Sequence, residues 1–448
     1  MKHLSKILGA CLSAAILVAC GGAATGVYSS TPLSVARSQP ASGPYAAHRV
    51  TEKVLHSFTG GTGDGAYPVN LILTNVKGVL YGTTEQGGGT GCQSGSNGCG
   101  TVFEVSTSGA ESVLYSFKGG KTDGQYAKGG VVERNGVLYG TTQSGGTYGG
   151  GTFFKITTSG KETVLHSFGS GYYGPYARVI YVAANDMFYG TTLYGGTGSC
   201  YLGCGTVFSV TPAGKETVLH SFQGGQDGDF PTGSLLYSNG ELYGTTQLGG
   251  GGGSSFCYTS SGPTGCGTIF SVGTSGTEKV LYSFTGGSDG AFPDGGLIDV
   301  NGTMYGMAEQ GGAGCGSGGC GTIFSLSKSG TFQDIYSFQG PPNDGAFPWG
   351  NLTNVKGVLF GTTDQGGAST ACSTASRTPG CGVVFRVTTS GKERMLYSFE
   401  GGPDGNYANT TLLYMKGVLY GTTLLGGSGS CTRTAGNGCG TVFSLSGF

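Results

Sequence analysis

Three short motifs each recur seven times along the chain, and this repetition constrains the fold more than any other feature. V-L-[HY]-S-F first covers residues 54–58, Y-G-T-T first begins at Tyr81, and G-T-[VI]-F first begins at Gly100. Successive copies of Y-G-T-T lie 50 to 62 residues apart, which fits one propeller blade better than one turn of a solenoid. The seven copies begin at Tyr81, Tyr139, Tyr189, Tyr243, Tyr305, Phe360 and Tyr420, with Met-Ala replacing Thr-Thr in the fifth.

Each repeat contains four strand signals separated by turn residues. In the fourth repeat they cover 235–237, 241–246, 268–272 and 280–284, and Asn239-Gly240 is typical of a tight hairpin turn. Glycine supplies 95 of the 448 residues, and each interior glycine destabilises a helix by about 1 kcal/mol. The sequence therefore predicts an all-β chain in which strands a, b, c and d of each repeat form one blade.

The phase of the repeats predicts a closed ring. The repeat region starts with a lone strand d at 54–58 and stops at Phe448, just after a strand c. If the first strand docks onto the last three, it completes a seventh blade and removes the open edges of a linear array. We expect a single seven-bladed β-propeller of four-stranded blades over residues 51–448.

The first 50 residues resemble the leader and tether of a bacterial lipoprotein. Lys2 and Lys6 precede an apolar stretch at 7–18 that is too short to anchor a bilayer. The sequence L-V-A-C-G at 17–21 resembles a lipobox, which implies cleavage before Cys20 and lipidation of its sulfur. We expect a signal peptide over 1–19, a lipidated Cys20 with a flexible tether over 20–50, and attachment to a membrane, with Gly21 favouring the outer membrane.

The combined pattern V-L-[HY]-S-F, D-G-x-[YF]-P, L-Y-G-T-T-x-x-G-G and G-C-G-T-V-F resembles the GloVer tandem repeat of exported bacterial proteins. The resemblance covers nearly all of the predicted mature chain. It implies a surface-attached repeat protein in the cell envelope. It implies no established activity, so no catalytic residue is transferred from it.

Twelve cysteines fall in pairs within the b–c loops. The second repeat has the shortest such loop and lacks both cysteines, so presence and absence go together. In an exported protein this arrangement favours disulfides, and the competing zinc interpretation fails because no loop adds a His to its two Cys. We predict the pairs Cys92–Cys99, Cys200–Cys204, Cys257–Cys266, Cys315–Cys320, Cys372–Cys381 and Cys431–Cys439, and no metal site.

Neither the histidines nor the D-G pairs suggest catalysis. His56, His166 and His220 occupy one position of strand d that is Tyr in the other repeats, so we interpret them as packing residues. They belong to different blades and point apart, which leaves no His for a catalytic triad. Asp-Gly recurs in six d–a connections, where Asp is interpreted as a turn former, with a ring of calcium sites as the alternative.

Function in a repeat fold should lie where the repeats differ. In a propeller the d–a and b–c loops share one face, which we call the loop-rich face. The position after [YF]-[PA], where strand a begins, differs in every repeat and should ring the channel mouth on that face. It is occupied by Val69, Lys128, Arg178, Thr232, Asp294, Trp349 and Asn409. The residue after Y-G-T-T varies too and adds Glu85, Glu309 and Asp364.

This mouth is expected to be basic on blades two and three and acidic on blades five and six, with the chain's only Trp among the acids. A lone aromatic among polar groups suits a sugar, so the leading hypothesis is a non-enzymatic propeller that binds a glycan or another envelope protein. The alternative is a glycoside hydrolase or lyase that uses two of Asp294, Glu309 and Asp364 as acid and base. A purely structural envelope protein is the third hypothesis. No cofactor is expected, and the net charge of −1 gives no basis for nucleic-acid binding.

Overall fold

The computed structural model describes residues 36–38 and 50–448, apart from 70, 90, 93–97, 170–173, 252–256, 260–261, 264, 373–377 and 434–435. Cys20, the predicted signal peptide and most of the predicted tether lie outside the described residues. None of the helical segments within the described ranges has the length and apolar character of a membrane span.

The chain forms seven antiparallel sheets arranged as the blades of a ring, each with the strand order a-b-c-d, as predicted. Strands a are Thr74–Val76, Val131–Arg134, Ile180–Val182, Leu236–Ser238, Ile298–Val300, Gly345–Val355 and Leu413–Met415. Strands b are Val79–Thr84, Val137–Thr142, Met187–Thr192, Glu241–Thr246, Thr303–Ala308, Val358–Gly366 and Val418–Thr423. Strands c are Thr101–Ser106, Thr152–Thr157, Thr206–Val210, Thr268–Gly273, Thr322–Ser327, Val383–Thr388 and Thr441–Ser446. Strands d of blades one to six are Glu111–Ser116, Glu162–Ser167, Glu216–Ser221, Glu278–Ser283, Phe332–Ser337 and Glu393–Ser398.

Shorter elements lie in the connections. The two-residue strand pairs are Gly65–Ala66 with Gln86–Gly87, Gly124–Gln125 with Ser144–Gly145, Tyr258–Thr259 with Gly262–Pro263, Leu71–Ile72 with Thr410–Thr411, and Thr432–Arg433 with Gly436–Asn437. Two 3₁₀ turns cover Gly316–Gly318 and Gly402–Asp404.

Blade seven joins the two ends of the repeat region, which confirms the predicted closure. Its strand d is Thr51–Ser57, which pairs antiparallel with strand c at Thr441–Ser446. The structure adds one strand that the sequence did not predict: Ala36–Ser38, inside the predicted tether, pairs with residues 51–53 as a fifth strand of this blade. Strand d of blade seven is therefore paired on both sides.

The Gly of Y-G-T-T is required by the Phe of G-T-[VI]-F in the same blade. Gly244 lies directly opposite Phe270 in the b–c pairing. A Cβ on Gly244 would lie 2.6 Å from Phe270 Cζ, so only glycine leaves room for the ring. The same contact recurs at 2.5 to 2.7 Å in the other blades where it is described, which explains why these two motifs always occur together.

The two threonines of Y-G-T-T connect strands and blades. The second one bonds within the blade: Thr246 Oγ1 lies 2.8 Å from Oγ1 of Thr268, the Thr of G-T-[VI]-F. The first one reaches the next blade: Thr245 Oγ1 donates to the Gly295 carbonyl at 2.8 Å. The motif thus fixes both the pairing inside a blade and the contact at strand a of its neighbour.

The hydrophobic core is divided among the interfaces between adjacent blades. The Phe that ends strand d packs edge-on against the Phe of G-T-[VI]-F in the following blade, as in Phe117 and Phe154, whose ring centres are 5.2 Å apart. Residues such as Leu138 and Ile156 complete the cluster between blades one and two and are fully buried. Each interface is therefore a small core of its own, and the ring holds them together.

The a–b hairpins have the backbone conformation that their sequence predicts. Asn239 and Gly240 have φ of 54° and 87°, so both central residues are left-handed, as a type I′ turn requires. In three blades a lysine, such as Lys416 with φ of 51°, takes the position of Asn. These turns lie at the end of the blades opposite the loop-rich face.

Candidate functional site

The predicted cysteine pairs are confirmed: each of the six closes one b–c loop, with no bridge between blades. The disulfides also pack against the d–a connection that follows strand d of the same blade. A Cβ on Gly340, which follows strand d of blade five, would lie 2.8 Å from Cys320 Sγ and 2.9 Å from Cys315 Sγ. The d–a connection therefore lies directly on the disulfide, which places both loops on one face.

An aromatic residue with unusual backbone geometry links each disulfide loop to the next blade. Phe292, which precedes strand a of blade five, has φ of 56°, and its N–H donates to the carbonyl of Cys266 in blade four. The same left-handed aromatic and the same bond to the second Cys of the pair recur in six connections. Bulky residues rarely adopt positive φ, so this repeated strain is held in place by the surrounding loops.

The exception falls where the cysteines are missing. Tyr176 follows the cysteine-free blade two and is not among the residues of positive φ. The disulfide, the aromatic N–H bond and the left-handed backbone thus occur together or not at all.

The aspartates of the D-G pairs are turn formers, as predicted. In blade two, Asp123 accepts from the N–H groups of Lys118 at 2.8 Å and Gly124 at 2.7 Å. Asp123 also accepts from the Tyr115 hydroxyl at 2.8 Å, and Tyr115 occupies the His/Tyr position of strand d. The interpretation of that position as packing alone is therefore incomplete, because its side chain donates to the Asp as well as packing on the neighbouring Phe.

The chain closes tightly around the axis where strands a begin. A Cβ on Gly295 of blade five would lie 1.9 Å from the Gly350 carbonyl oxygen of blade six, and one on Gly350 would lie 2.7 Å from the Thr410 carbonyl oxygen of blade seven. A Cβ on Gly233 of blade four would lie 2.7 Å from the Gly295 carbonyl oxygen. Each of these residues directly follows one of the variable positions predicted to ring the mouth. Thr232, Asp294, Trp349 and Asn409 are therefore held on four consecutive, touching segments.

Both cations of the predicted basic sector are engaged in contacts with neighbouring blades. Lys128 Nζ lies 3.4 Å from Glu85 Oε1 of blade one and 5.1 Å from the ring centre of Tyr176. The Arg178 guanidinium donates to the Val131 carbonyl at 3.0 Å and to the Thr74 hydroxyl at 2.9 Å, so it bridges strands a of blades one and two. Burial lowers the pKa of Arg178 to about 10. These side chains connect blades one, two and three to one another.

At the variable positions, the polar atoms that lack such a partner lie on blades four to seven. Asp294, Thr232 and Asn409 are 3%, 4% and 6% exposed, and Trp349 is half-buried. Within the described part of the chain, Asp294 Oδ1, Thr232 Oγ1, Asn409 Oδ1 and Trp349 Nε1 make no hydrogen bond of good geometry. Burial raises the pKa of Asp294 to about 6, an effect that the neighbouring Thr232 hydroxyl partly offsets.

The other two acids predicted at the mouth are half-buried: Glu309 directly follows strand b of blade five, and Asp364 lies near the end of strand b of blade six. The backbone N–H of Glu309 donates to the Phe292 carbonyl, which fixes where its side chain starts. Asp364 follows Thr363, which pairs with Pro348 beside Trp349. Thr232 and Asn409, which the sequence also places at the mouth, belong to the same group of buried polar residues as Asp294.

A surface cleft of about 340 Å³ borders blades two and three, lined by Gly150, Phe168, Tyr194 and Glu216 among others. It contains none of the predicted site residues. It lies where the missing disulfide leaves the shortest b–c loop.

Comparison with known proteins identifies one family. A family model described as the Gloeobacter/Verrucomicrobia repeat matches residues 44–200 and 256–443. Among curated proteins the sequence finds no match.

Several solved structures have a similar fold. A luciferin-regenerating enzyme is 14% identical with a TM-score of 0.41, covering 73% of this chain and 92% of its own. A gluconolactonase from Xanthomonas campestris is 12% identical with a TM-score of 0.36, over 69% of this chain and 85% of its own. An aldose sugar dehydrogenase from Streptomyces coelicolor is 11% identical with a TM-score of 0.39, over 89% and 99%.

Proposed function

The chain belongs to the Gloeobacter/Verrucomicrobia repeat family, as its motifs predicted, and we propose that it is an exported, lipid-anchored propeller that binds a glycan at the axis of its loop-rich face. In this proposal the ligand is an uncharged, polyhydroxylated segment. It contacts blades four to seven, and blades one to three give the ring its rigidity.

The observation that carries the proposal is the set of buried, unpartnered polar atoms on four touching segments. Leaving one such atom unsatisfied costs about 1–3 kcal/mol, so four of them together favour a site that a ligand completes. The set contains an N–H donor on Trp349, acceptors on Asp294 and Asn409, and a hydroxyl on Thr232 that does both. Sugar hydroxyls donate and accept, which matches this mixture better than an anion or a cation does.

The charges around the mouth support an uncharged ligand. Lys128 is paired with Glu85, and the Arg178 guanidinium is bonded to Val131 and Thr74. Lys128 would have to leave its ion pair to bind an anionic ligand, and Arg178 is held between strands a of blades one and two by its two hydrogen bonds. Trp349 is only partly buried, and its ring supplies an apolar surface on which one face of a sugar can stack.

The proposed location rests on the disulfides and on the leader. Six bridges are typical of a protein that folds in an oxidising compartment outside the cytosol. Lipidation at Cys20 would then hold the propeller on the envelope, in the outer membrane if the lipobox resemblance is followed. Metabolic labelling with a palmitate analogue tests this, and Cys20→Ser should abolish the label.

One observation favours a hydrolase as the second candidate. Burial raises the pKa of Asp294 to about 6, which is suitable for a general acid near neutral pH. A second carboxylate would have to come from Glu309 or Asp364. Asp294→Asn separates the two functions: binding alone should tolerate this near-isosteric amide, whereas hydrolysis of a bound glycan should stop.

The test is a glycan array with the full chain, followed by titration calorimetry on the best ligand. Trp349→Ala should weaken binding about 30-fold or more, since a central aromatic anchor contributes about 2 kcal/mol or more. Lys161→Ala and Lys215→Ala, in c–d turns at the other end of the blades, are the matched controls and should bind as the parent does. The proposal would be contradicted by a ligand whose affinity is unchanged in Trp349→Ala but reduced in the variants of the c–d turns.

A further inference from the structure

Six of the seven blade interfaces bring together an Asp, a His or Tyr, and an acidic group of the following blade. At the interface of blades seven and one, these are His56 of strand d, Asp64 of the D-G turn and Glu111 of the next strand d. At the interface of blades three and four, they are His220, Asp227 and Glu278. In each set one donor atom of each residue lies within 4.8 Å of the other two.

The His56 interface differs from the tyrosine interfaces in geometry. Where the residue is Tyr, its hydroxyl makes an ordinary hydrogen bond to the Asp, 2.8 Å for Tyr336 and Asp344. His56 Nε2 instead lies 3.4 Å from Asp64 Oδ1 and 3.3 Å from Asp64 Oδ2. These distances are longer than a good N–H···O bond, which is usually 2.7–3.2 Å.

The separations suit three ligands of one small cation. Ligand atoms about 2.0–2.1 Å from a tetrahedral zinc ion lie about 3.3 Å from one another. His56 Nε2 is 3.3 Å from Asp64 Oδ2 and 3.8 Å from Glu111 Oε2. His220 Nε2 is 3.2 Å from Asp227 Oδ1.

Each of the two histidine sets contains a buried carboxylate oxygen. The Glu111 side chain is 10% exposed, and Glu111 Oε1 has no hydrogen-bond partner among the described residues. Glu278 Oε1 also has none at the other histidine interface, and the same holds for Glu162 and Glu393 at two tyrosine interfaces, so the histidine is what distinguishes the two proposed sites. A divalent cation would give this buried carboxylate oxygen a partner.

From this geometry we infer that the propeller has two equivalent binding sites for Zn²⁺ or a similar first-row divalent cation. One site consists of His56, Asp64 and Glu111, and the other of His220, Asp227 and Glu278. An imidazole with two carboxylates suits zinc and its neighbours, whereas Ca²⁺ prefers six to eight oxygen ligands. Each site takes ligands from two blades, so the cation would cross-link them.

The third histidine provides a control within the same molecule. His166 occupies the equivalent position of strand d in blade two and lies 3.3 Å from Glu216 of the next blade. The connection that follows, residues 169–175, contains no Asp. This interface therefore lacks one of the three ligands and should not bind the cation.

The experiment is equilibrium dialysis of the full chain against Zn²⁺, with His→Tyr variants that copy the tyrosine interfaces. The parent should bind two equivalents of Zn²⁺. His56→Tyr and His220→Tyr should each bind one equivalent at high affinity, and the double variant should bind none. The affinity of each altered site should fall about 100-fold or more. His166→Tyr should still bind two. Co²⁺ in place of Zn²⁺ should give the visible absorption of a tetrahedral site, with its intensity following the same order.

Two results would overturn the inference. One is a double variant that binds as much Zn²⁺ as the parent, and the other is a loss in His166→Tyr equal to that in His56→Tyr. If a tyrosine variant misfolds, Glu111→Gln and Glu278→Gln remove a ligand with little change of shape and should each cost one equivalent. Melting curves without metal establish that the variants are folded.

Discussion

Replacing Gly295 by Ala should push blades five and six apart at the axis. The new Cβ would lie 1.9 Å from the Gly350 carbonyl oxygen, whereas Cβ contacts shorter than 3.0 Å are essentially never seen. One backbone segment must therefore move by about 1 Å, and no side-chain rotation relieves the contact because the opposing atom belongs to the main chain. Overpacking of this kind costs about 1–3 kcal/mol, and we expect a value near 3 kcal/mol.

The expected change in melting temperature follows from the size of the domain. Unfolding entropy is about 2.1 cal/mol/K per residue, or roughly 0.8 kcal/mol/K for a propeller of about 400 residues. A loss of about 3 kcal/mol therefore lowers the melting temperature by about 4 °C in differential scanning calorimetry. Because Gly295 follows Asp294 directly, the same substitution should also weaken binding of any ligand found at the axis.

Gly287→Ala is the matched control, because Gly287 lies in the same d–a connection. Its Cβ would meet nothing closer than 3.6 Å, which is an ordinary van der Waals contact. We expect its melting temperature within about 1 °C of the parent. If the Gly295 and Gly287 variants have the same melting temperature, the backbone contact at the axis does not stabilise the packing of the blades. The argument for a closed ring of touching segments then fails.

Three further results are expected. Deleting residues 51–57 should expose strand c of blade seven as an open edge and produce aggregates in size-exclusion chromatography, whereas a monomer with unchanged melting would contradict the closure. Lys416→Asn should stabilise the protein by about 0.5–1 kcal/mol in urea unfolding, because Asn tolerates the left-handed φ of 51° better than Lys does. An unchanged urea midpoint would argue against backbone strain at this turn. Burial raises the pKa of Glu393 to about 8, so folding favours its protonated form, and stability should fall as the pH rises from about 5 to 8. Glu393→Gln should flatten that fall in melting temperature, and a slope equal to the parent's would show that this carboxyl does not titrate as described.

The fold could be predicted because the repeats present the same signals seven times. An Asn-Gly turn such as Asn239-Gly240 specifies a hairpin locally, and the offset of strand d at 54–58 specifies how the ring closes. The disulfides followed from the same local logic, since each pair lies within one loop. Strand Ala36–Ser38 was missed because it stands outside the repeats and lacks their motifs.

Contacts between blades were harder to predict, because they depend on how one blade is placed against the next. Lys128 and Glu85 were both selected, but their pairing across two blades was not foreseen. Glu111 was overlooked, although Glu stands four residues before the His/Tyr position in six of the seven strands d, a regularity that could have indicated its role. His56 was compared only with other histidines, whereas its neighbours are carboxylates from its own turn and from the next blade.

The closure of blade seven also sets the order in which the protein can fold. Ser57, in the first repeat strand to be synthesised, bonds to Ser428, which is 371 residues later in the chain. A loop of this length must close before that strand finds its partner, which makes the contact slow to form. Six complete blades can form while this strand remains unpaired, so the chain is most exposed to intermolecular strand pairing until blade seven closes.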